Sequence, residues 1–210
     1  MPRFADLSID AFLAALSSPD PTPGGGTAAA VAGAMGTSLL MMVCGLAKSR
    51  NNTDDERAQL SEARTALAAA RDRLVQLADR DTEAFNQVMA AYRLPKSTDE
   101  ETSSRKAAVQ QALRGATDAP LETLRAARDA TVQAHTVARY GNRSATSDVR
   151  VALELLEAAA AGATANVDIN LTGLNDEAYR RAAAAEVFDL TNRVTEDVAA
   201  ARSALKTADD

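Results

Sequence analysis

The apolar positions of this chain recur at three- and four-residue steps, which is the period of an amphipathic helix. The clearest case extends from residue 56 to about residue 92, and its apolar positions are Leu60, Ala63, Leu67, Ala70, Leu74, Leu77, Ala78, Phe85, Val88 and Met89. No stretch shows the two-residue alternation of a half-buried strand. The pattern therefore predicts an all-α protein, with residues 1–210 forming one domain.

Capping residues and prolines divide the rest of the chain into further helices. Ser8 is placed to cap a short helix that ends at Leu16, and three prolines then enforce an extended linker. Pro120 suits the first turn of a helix, so we expect a boundary just before it. The other predicted helices cover residues 21–47, 56–92, 98–116, 120–139, 146–171 and 176–205. Short connections favour antiparallel neighbours, and the prediction is a multi-helix antiparallel bundle.

Residues 21–47 differ from the other predicted helices because they contain no charged side chain. A helix that is apolar on all sides should be buried all round, in the core or in a dimer. A membrane span is the alternative, since roughly 20 apolar residues can cross a bilayer. The flanks carry no Lys/Arg bias, and the segment before them holds Asp6, Asp10 and Asp20. We therefore expect a buried, Gly/Ala-rich central helix and no membrane.

Composition narrows the class of partner and cofactor. The formal net charge of −6 argues against nucleic acid as a partner. Cys44 is the single cysteine and lies in the apolar run, which favours a small buried side chain and a reducing, cytoplasmic compartment. His135 has Thr131 and Arg139 at four-residue steps, so we interpret it as a surface residue. One histidine and one cysteine give no cluster of metal ligands, and we expect no metal.

The first candidate site is the glycine-rich start of the central helix, where Gly24, Gly25 and Gly26 follow Pro23. Free N–H groups at such a start can bind an anion or a carbonyl oxygen. The Gly-Lys-Ser/Thr part of a phosphate loop is missing. A glycine cap that permits close helix packing is an equally good interpretation.

The second candidate is Asp81 in the long helix. Asp79 and Asp81 lie about 200° apart around a helix, so they point in different directions. Asp81 shares its side with Phe85 and Val88. Burial of a carboxylate on an apolar face raises its pKa, which makes Asp81 a candidate acid or base. An ordinary solvated charge is the alternative.

The third candidate combines small and polar residues near two predicted helix ends. Asn142 follows a helix-ending glycine, and Asp148 follows in the first turn of the next helix. Gly162, Asn166 and Asn170 recur at four-residue steps and share one helix face. Asparagine is a poor helix former, so its repetition requires a reason. The two amides can hydrogen-bond a heterocycle, or they can form hydrogen bonds between helices.

Together these stretches resemble the C-terminal domain of the formiminotransferase-cyclodeaminase family. The resemblance extends from residue 21 to about residue 176 and rests on the motifs PTPGGGTAAAVAGAMG, DRDTEAFNQVMAAYRLPKSTDEE, GNRSATSD and NVDINLTGLND. It implies an all-helical homodimer that acts on one-carbon units carried by tetrahydrofolate, without a further cofactor. The implied reaction is hydrolysis of 5,10-methenyltetrahydrofolate to 10-formyltetrahydrofolate. Formiminotetrahydrofolate cyclodeamination, which releases ammonia, and an inactive folate-binding dimer are the alternatives.

The resemblance also implies roles for single residues. Asp81 would be the catalytic acid/base, and Asp148 a second carboxylate that orients Asp81 or the water. The implied substrate-binding positions are Gly24, Gly25, Gly26, Arg50, Lys96, Arg105, Asn142, Asn166 and Asn170. The last two would hold the pterin, and Lys96 and Arg105 the carboxylates of a glutamate tail. One departure is the turn at residues 49–53, where Arg50 alone matches the basic residues of relatives.

Overall fold

The computed structural model describes residues 3–46 and 52–209, with the backbone alone for residues 207–209. In this part of the chain there is no strand, and two short 3-10 helices occur at Phe4–Asp6 and Arg143–Ala145. The α-helices are α1 (Ile9–Leu16), α2 (Gly25–Gly45), α3 (Asp54–Tyr92), α4 (Asp99–Tyr140), α5 (Thr146–Leu171) and α6 (Glu177–Asp209). The predicted all-α bundle is confirmed.

Helix α4 is the centre of the bundle, and α3, α5 and α6 pack along it. Helix α2 lies between α3 and α5. A Cβ atom built on Gly33 would lie 3.1 Å from Leu74 of α3 and 3.2 Å from Ala159 of α5. Along α2 and α5 the contacts run in opposite directions, from Ala29 beside Gly162 to Gly36 beside Ala152. The two helices are therefore antiparallel.

Missing side chains let α2 and α5 approach closely. A Cβ atom on Gly36 would lie 2.8 Å from the carbonyl oxygen of Ala152, and one on Gly162 would lie 2.9 Å from Cβ of Ala29. Such distances are shorter than van der Waals contact, so any larger residue would push the two backbones apart. The small residues of the central helix thus serve close packing.

Pro120 does not end a helix, and the predicted boundary between residues 116 and 120 is wrong. Helix α4 continues through Pro120 without interruption. Proline has no N–H, so the carbonyl of Ala116 lacks its usual partner four residues on. Asn170 of α5 supplies one, because its Nδ2 donates to Ala116 O at 2.7 Å. A side chain 50 positions further along the chain thereby satisfies the proline defect.

Helix α2 is not buried all round within a single chain. One of its faces packs between α3 and α5, while the opposite face leaves Met35 55% exposed and Met42 41% exposed. By length and composition α2 is the one described helix that could span a membrane, and 44% of its most apolar window is buried in the protein. Exposed apolar side chains on an uncharged helix mark this face as a candidate interaction surface.

Two glycines provide a matched test of this packing. We expect Gly36→Ala to lower the free energy of unfolding by about 1–3 kcal/mol, because its Cβ meets backbone that cannot rotate away. Gly115→Ala is the control, since a Cβ there meets nothing within 4 Å. It should stabilise α4 by up to about 1 kcal/mol through helix propensity. Urea denaturation measures both, and equal effects of the two substitutions would contradict the packing described.

Candidate active site

A carboxylate from α3 caps the start of α2. Gly24 is the N-cap residue and has no side chain to cap with, and the first turn of α2 holds no acidic residue. Asp81 fills this role from outside, because its Oδ2 accepts a hydrogen bond from Thr27 Oγ1 at 3.1 Å. The backbone of Thr27 also stabilises the ionised form and so acts to lower the pKa of Asp81. The free N–H groups and the positive end of the helix dipole thus face an anionic group of the chain itself.

Gly26 makes this approach possible. A Cβ atom there would lie 2.6 Å from Cγ of Asp81 and 2.7 Å from its Oδ2. Any other residue at position 26 would therefore displace the carboxylate from the helix start. The sequence allows two interpretations of the glycines, an anion-binding site or a cap for close packing. Both apply, because close packing at Gly26 brings an anionic side chain to the start of the helix.

The surroundings of Asp81 change its acidity. Burial raises the pKa of the Asp81 carboxyl above its usual value, while the hydrogen bonds from Thr27 act in the opposite direction. Asp79 points elsewhere and receives hydrogen bonds from the backbone N–H of Phe4 at 2.7 Å and from Arg3. Because a raised pKa brings proton exchange closer to neutral pH, Asp81 has the properties of an acid–base group.

Helix α5 adds amide groups to the same place. Asn166 lies beside the start of α2, since a Cβ on Gly25 would be 3.6 Å from its Nδ2. This Nδ2 also donates to Gly162 O at 2.8 Å. Asn170 is one turn further along α5, with its amide nitrogen at Ala116 O. The structure therefore brings Gly24, Gly25, Gly26, Asp81 and Asn166 together, with Asn170 one helical turn away.

Asp148 and Asn142 lie at the other end of the bundle. Asp148 is in the first turn of α5, and 18 residues of helix, or about 27 Å, separate it from Asn166. Asn142 Oδ1 accepts from the N–H of Ser144, just before α5 begins. Within one chain neither residue reaches Asp81. Arg50 lies outside the described residues.

The predicted tail-binding cations lie at the corner between α3 and α4. Lys96 is exposed in the connection. Arg105 donates from Nε and Nη2 to the carbonyl oxygen of Tyr92, at 3.1 and 2.9 Å. Tyr92 follows Asp81 by 11 residues, which is about 16 Å along α3. Lys96 and Arg105 thus lie on the same helix pair as Asp81 but well away from its carboxylate.

Thr27 belongs to the site through its contact with Asp81, whereas Thr82 contacts Thr27 and lies outside the site; neither was among the predicted residues. Thr27 is fully buried, and its Oγ1 lies 3.2 Å from Ala78 O and 3.3 Å from Thr82 Oγ1. Their positions offer a signal, because Thr27 directly follows the glycines and Thr82 directly follows Asp81. Two threonines beside two candidate motifs are typical of a hydrogen-bonding cluster.

The other titratable candidates lie outside this site. Burial raises the pKa of the Cys44 thiol to about 11, so it stays protonated at neutral pH. His135 is exposed on α4, as predicted. Among the described residues no group of three or more His, Cys, Asp or Glu side chains is arranged to hold a metal ion.

Fold and site together define an all-α protein with a half-buried carboxylate suited to acid–base chemistry at a glycine-lined helix start. Residues 8–189 match the family described as formiminotransferase-cyclodeaminase. The chain belongs to this family, and the resemblance of its motifs is confirmed.

Named relatives agree with this assignment. The chain is 42% identical to a methenyltetrahydrofolate cyclohydrolase of Methylorubrum extorquens, over 82% of this chain and 83% of the relative. It is 33% identical to the formimidoyltransferase-cyclodeaminase of Gallus gallus over 90% of this chain, but spans only 34% of that longer protein. It is also similar to the crystal structure of a formiminotetrahydrofolate cyclodeaminase from Thermotoga maritima. That similarity has a TM-score of 0.86 and 28% identity, and covers 97% of this chain and 98% of the other.

The hydrogen bond from Asn170 can be tested by a double-mutant cycle with Pro120. Asn170→Ala should cost about 1–3 kcal/mol in free energy of unfolding, because the buried Ala116 carbonyl loses its partner. In a Pro120→Ala background the new N–H can serve that carbonyl, and the cost of Asn170→Ala should fall. Asn166→Ala is the control, with a cost independent of residue 120. An Asn170→Ala cost that is equal in both backgrounds would refute the assignment.

Proposed function

We propose that this chain hydrolyses 5,10-methenyltetrahydrofolate to 10-formyltetrahydrofolate. The observation that carries the proposal is the Asp81 carboxylate with its raised pKa at the glycine-lined start of α2. The relative at 42% identity, a methenyltetrahydrofolate cyclohydrolase, supports this choice within the family.

The reaction requires one group that stabilises a cation in its ionised form and donates a proton in its neutral form. The substrate has a cationic carbon between two folate nitrogens, N5 and N10. Ionised Asp81 stabilises this cation and accepts a proton as water adds to the carbon. Asp81 returns that proton to N5 as the C–N5 bond breaks, and the added hydroxyl releases its own proton to solvent as its C=O bond forms, which leaves a neutral formyl group on N10. A carboxyl whose pKa is raised toward neutral can exchange the proton in both directions.

Neighbouring groups would bind the rest of the substrate. Asn166, beside Gly25, is placed to hydrogen-bond the pterin close to Asp81. Asn170 uses its Nδ2 for Ala116, so its contribution would come from Oδ1. Lys96 and Arg105, about 16 Å along α3, would bind the carboxylates of a glutamate tail. An extended ligand from α5 to the α3–α4 corner would contact all of these groups.

We also propose a homodimer through the exposed faces of α2 and α5. Along this face of α2 Met35 and Met42 are exposed and Ala28, Ala32 and Leu39 are half-buried, and exposed Leu46 follows directly after the helix. The corresponding α5 positions are Val151, Leu155, Ala158, Ala165 and Ile169, the last 66% exposed. Glu154 on the α5 edge pairs with Arg202 of α6. The two adjacent faces form an apolar surface that suits a second copy better than water.

The size of this surface fits a stable dimer. Helix α2 has 21 residues and is about 31 Å long, and two helices side by side are about 20 Å wide. The flat footprint is thus on the order of 600 Å², before the roughness of the side chains is counted. A standard interface takes about 800 Å² from each partner.

Symmetry would complete the active site. In a face-to-face dimer the two-fold axis lies in the interface, either along the helices or across them. An axis across the helices reverses the second copy, so that the end of α2 near Asp148 and Asn142 meets the Gly24 end of the first copy. Asp148 of the second copy could then orient Asp81 or the water. The residues that one chain keeps about 27 Å apart would belong to one shared site.

Cyclodeamination is the second candidate function. The solved structure that overlaps this chain almost completely is a formiminotetrahydrofolate cyclodeaminase. That reaction closes the same ring through a similar tetrahedral carbon and expels ammonia, so Asp81 would serve either reaction. Purified protein distinguishes them by loss of the methenyl absorbance or by ammonia release from formiminotetrahydrofolate. A dimer that binds folate but catalyses neither reaction would show no turnover in either assay.

We further propose a cytoplasmic location.

Asp81→Asn tests the catalytic role directly. The amide keeps the shape and can still accept from Thr27, but it cannot exchange a proton. We expect kcat for the methenyl substrate to fall about 10²–10⁴-fold while folate still binds. Stability at neutral pH should stay level or rise, because the cost of a buried charge is removed.

Asp79→Asn is the matched control for this experiment, because it removes a carboxylate two residues away that faces Phe4 instead. It should keep wild-type turnover. Near wild-type turnover of Asp81→Asn would make Asp81 structural and Asp148 the next residue to test.

Lys96→Gln tests the tail-binding role. KM for a polyglutamylated substrate should rise severalfold with kcat nearly unchanged, which is the pattern of lost uniform binding. The effect should shrink on monoglutamate and at high salt. Arg105→Gln should behave alike, and Lys106→Gln, which removes the next charge on α4, is the control. A large loss of kcat at constant KM would exclude a tail-binding role.

A shared site predicts complementation between inactive variants. Asp81→Asn and Asp148→Asn should each lose activity. When the two chains are co-expressed, half of the dimers are mixed, and each mixed dimer has one site with both carboxylates. The mixture should therefore recover up to about a quarter of wild-type turnover. A mixture that stays inactive would show that each site is built from one chain, and full activity of Asp148→Asn would remove Asp148 from the site.

A further inference from the structure

Thr27 links α2 to the carboxylate on α3 through a hydroxyl that has no access to solvent. Its side chain is fully buried, and three oxygen atoms surround its Oγ1. These are Asp81 Oδ2 at 3.1 Å, Ala78 O at 3.2 Å and Thr82 Oγ1 at 3.3 Å. A buried hydroxyl among three oxygens forms a network in which the direction of each hydrogen bond can be assigned by counting protons.

Counting protons identifies the donor and the acceptor in each of these hydrogen bonds. Ala78 O and ionised Asp81 Oδ2 can only accept, whereas Thr82 Oγ1 can donate to Thr27. Thr27 has a single proton, which it donates to the two acceptors in turn or shares between them. The hydroxyl of Thr27 thus holds the carboxylate from α2.

We propose that Thr27 is a positioning residue for the reaction, whose hydroxyl fixes the orientation of the Asp81 carboxylate toward the substrate. This inference rests on the proposed catalytic role of Asp81. The carboxyl group of an aspartate otherwise rotates broadly about its terminal bond. Misplacing a catalytic group by about 1 Å can cost on the order of 10²-fold in rate. A hydrogen bond that holds the carboxylate in one orientation therefore acts on kcat.

A purely structural role for Thr27 makes a different prediction. In that case the hydroxyl only connects α2 to α3 through Ala78 O, and its loss would lower the stability of the protein without a specific fall in kcat. Thr82 is the matched comparison, because its hydroxyl bonds Thr27 in the same buried network and has no hydrogen bond to Asp81. Thr82→Val should therefore disturb the network without releasing the carboxylate.

The test compares Thr27→Val, Thr27→Ser and Thr82→Val by kcat and KM for the methenyl substrate and by thermal melting. Thr27→Val keeps the shape and removes the hydroxyl, so kcat should fall about tenfold or more while KM changes less than about twofold. Thr27→Ser restores the hydroxyl and should recover most of kcat. Thr82→Val should keep kcat within about threefold of wild type.

Two results would overturn the inference: a folded Thr27→Val with wild-type kcat, or a Thr27→Ser as slow as Thr27→Val. Should Thr27→Val fail to fold, Thr27→Ser and Thr27→Ala give the same comparison. Both lack the methyl group and differ only in the hydroxyl, so a positioning role requires Thr27→Ser to be about tenfold faster or more.

Asp81→Asn separates this inference from the proposed function. If Asp81→Asn keeps its turnover, the proposed function fails. If Asp81→Asn is inactive and Thr27→Val is not impaired, only the positioning role fails. In an Asp81→Asn background the hydroxyl has no catalytic carboxylate to orient, so Thr27→Val should reduce the residual kcat no further. A further tenfold loss in that background would indicate that Thr27 acts independently of Asp81.

Discussion

The seating of the Asp81 carboxylate on the start of α2 is the interaction on which the site depends. Helix α2 begins with glycine and has no capping side chain of its own. The carboxylate lies at its N-terminal end, where the helix dipole offsets part of the cost of burying the charge. Gly26 leaves the room for this contact, and Thr27 supplies the hydrogen bonds. The Asp81 side chain thus contributes both to the stability of the helix start and to the proposed chemistry.

The close packing of α2 and α5 supports this interaction over its full length. At Gly36 and Gly162 the two helices leave no room for a Cβ atom. The same approach brings Asn166 of α5 to Gly25 and positions it near Asp81. It also leaves apolar side chains of both helices exposed, which is why we propose a second copy. A bundle packed more loosely would lose both the amide and the flat apolar surface.

Much of the fold follows from local patterns, and the exceptions have long-range causes. Ser8 caps a helix as predicted, and a Thr98–Glu101 capping box starts α4 at the predicted boundary, because capping depends on neighbours in sequence. Pro120 does not end α4, since Asn170 supplies the missing hydrogen bond from another helix. Asp81 was recognised from its apolar side, whereas its contact with Thr27 depends on how α2 and α3 pack. Motif positions identify Asp148 but say nothing of its distance from Asp81.

The most direct test of the account is the titration of Asp81 itself. Carboxyl carbon NMR of protein labelled at aspartate, assigned with Asp81→Asn, measures its pKa in the folded protein. We predict a pKa above the ordinary value of about 3.9, because burial outweighs the hydrogen bonds from Thr27. We also predict that kcat/KM rises with pH through this same pKa, since the ionised form accepts the proton from water. An Asp81 that titrates at or below the ordinary value, or an activity profile that ignores its titration, would contradict the central claim.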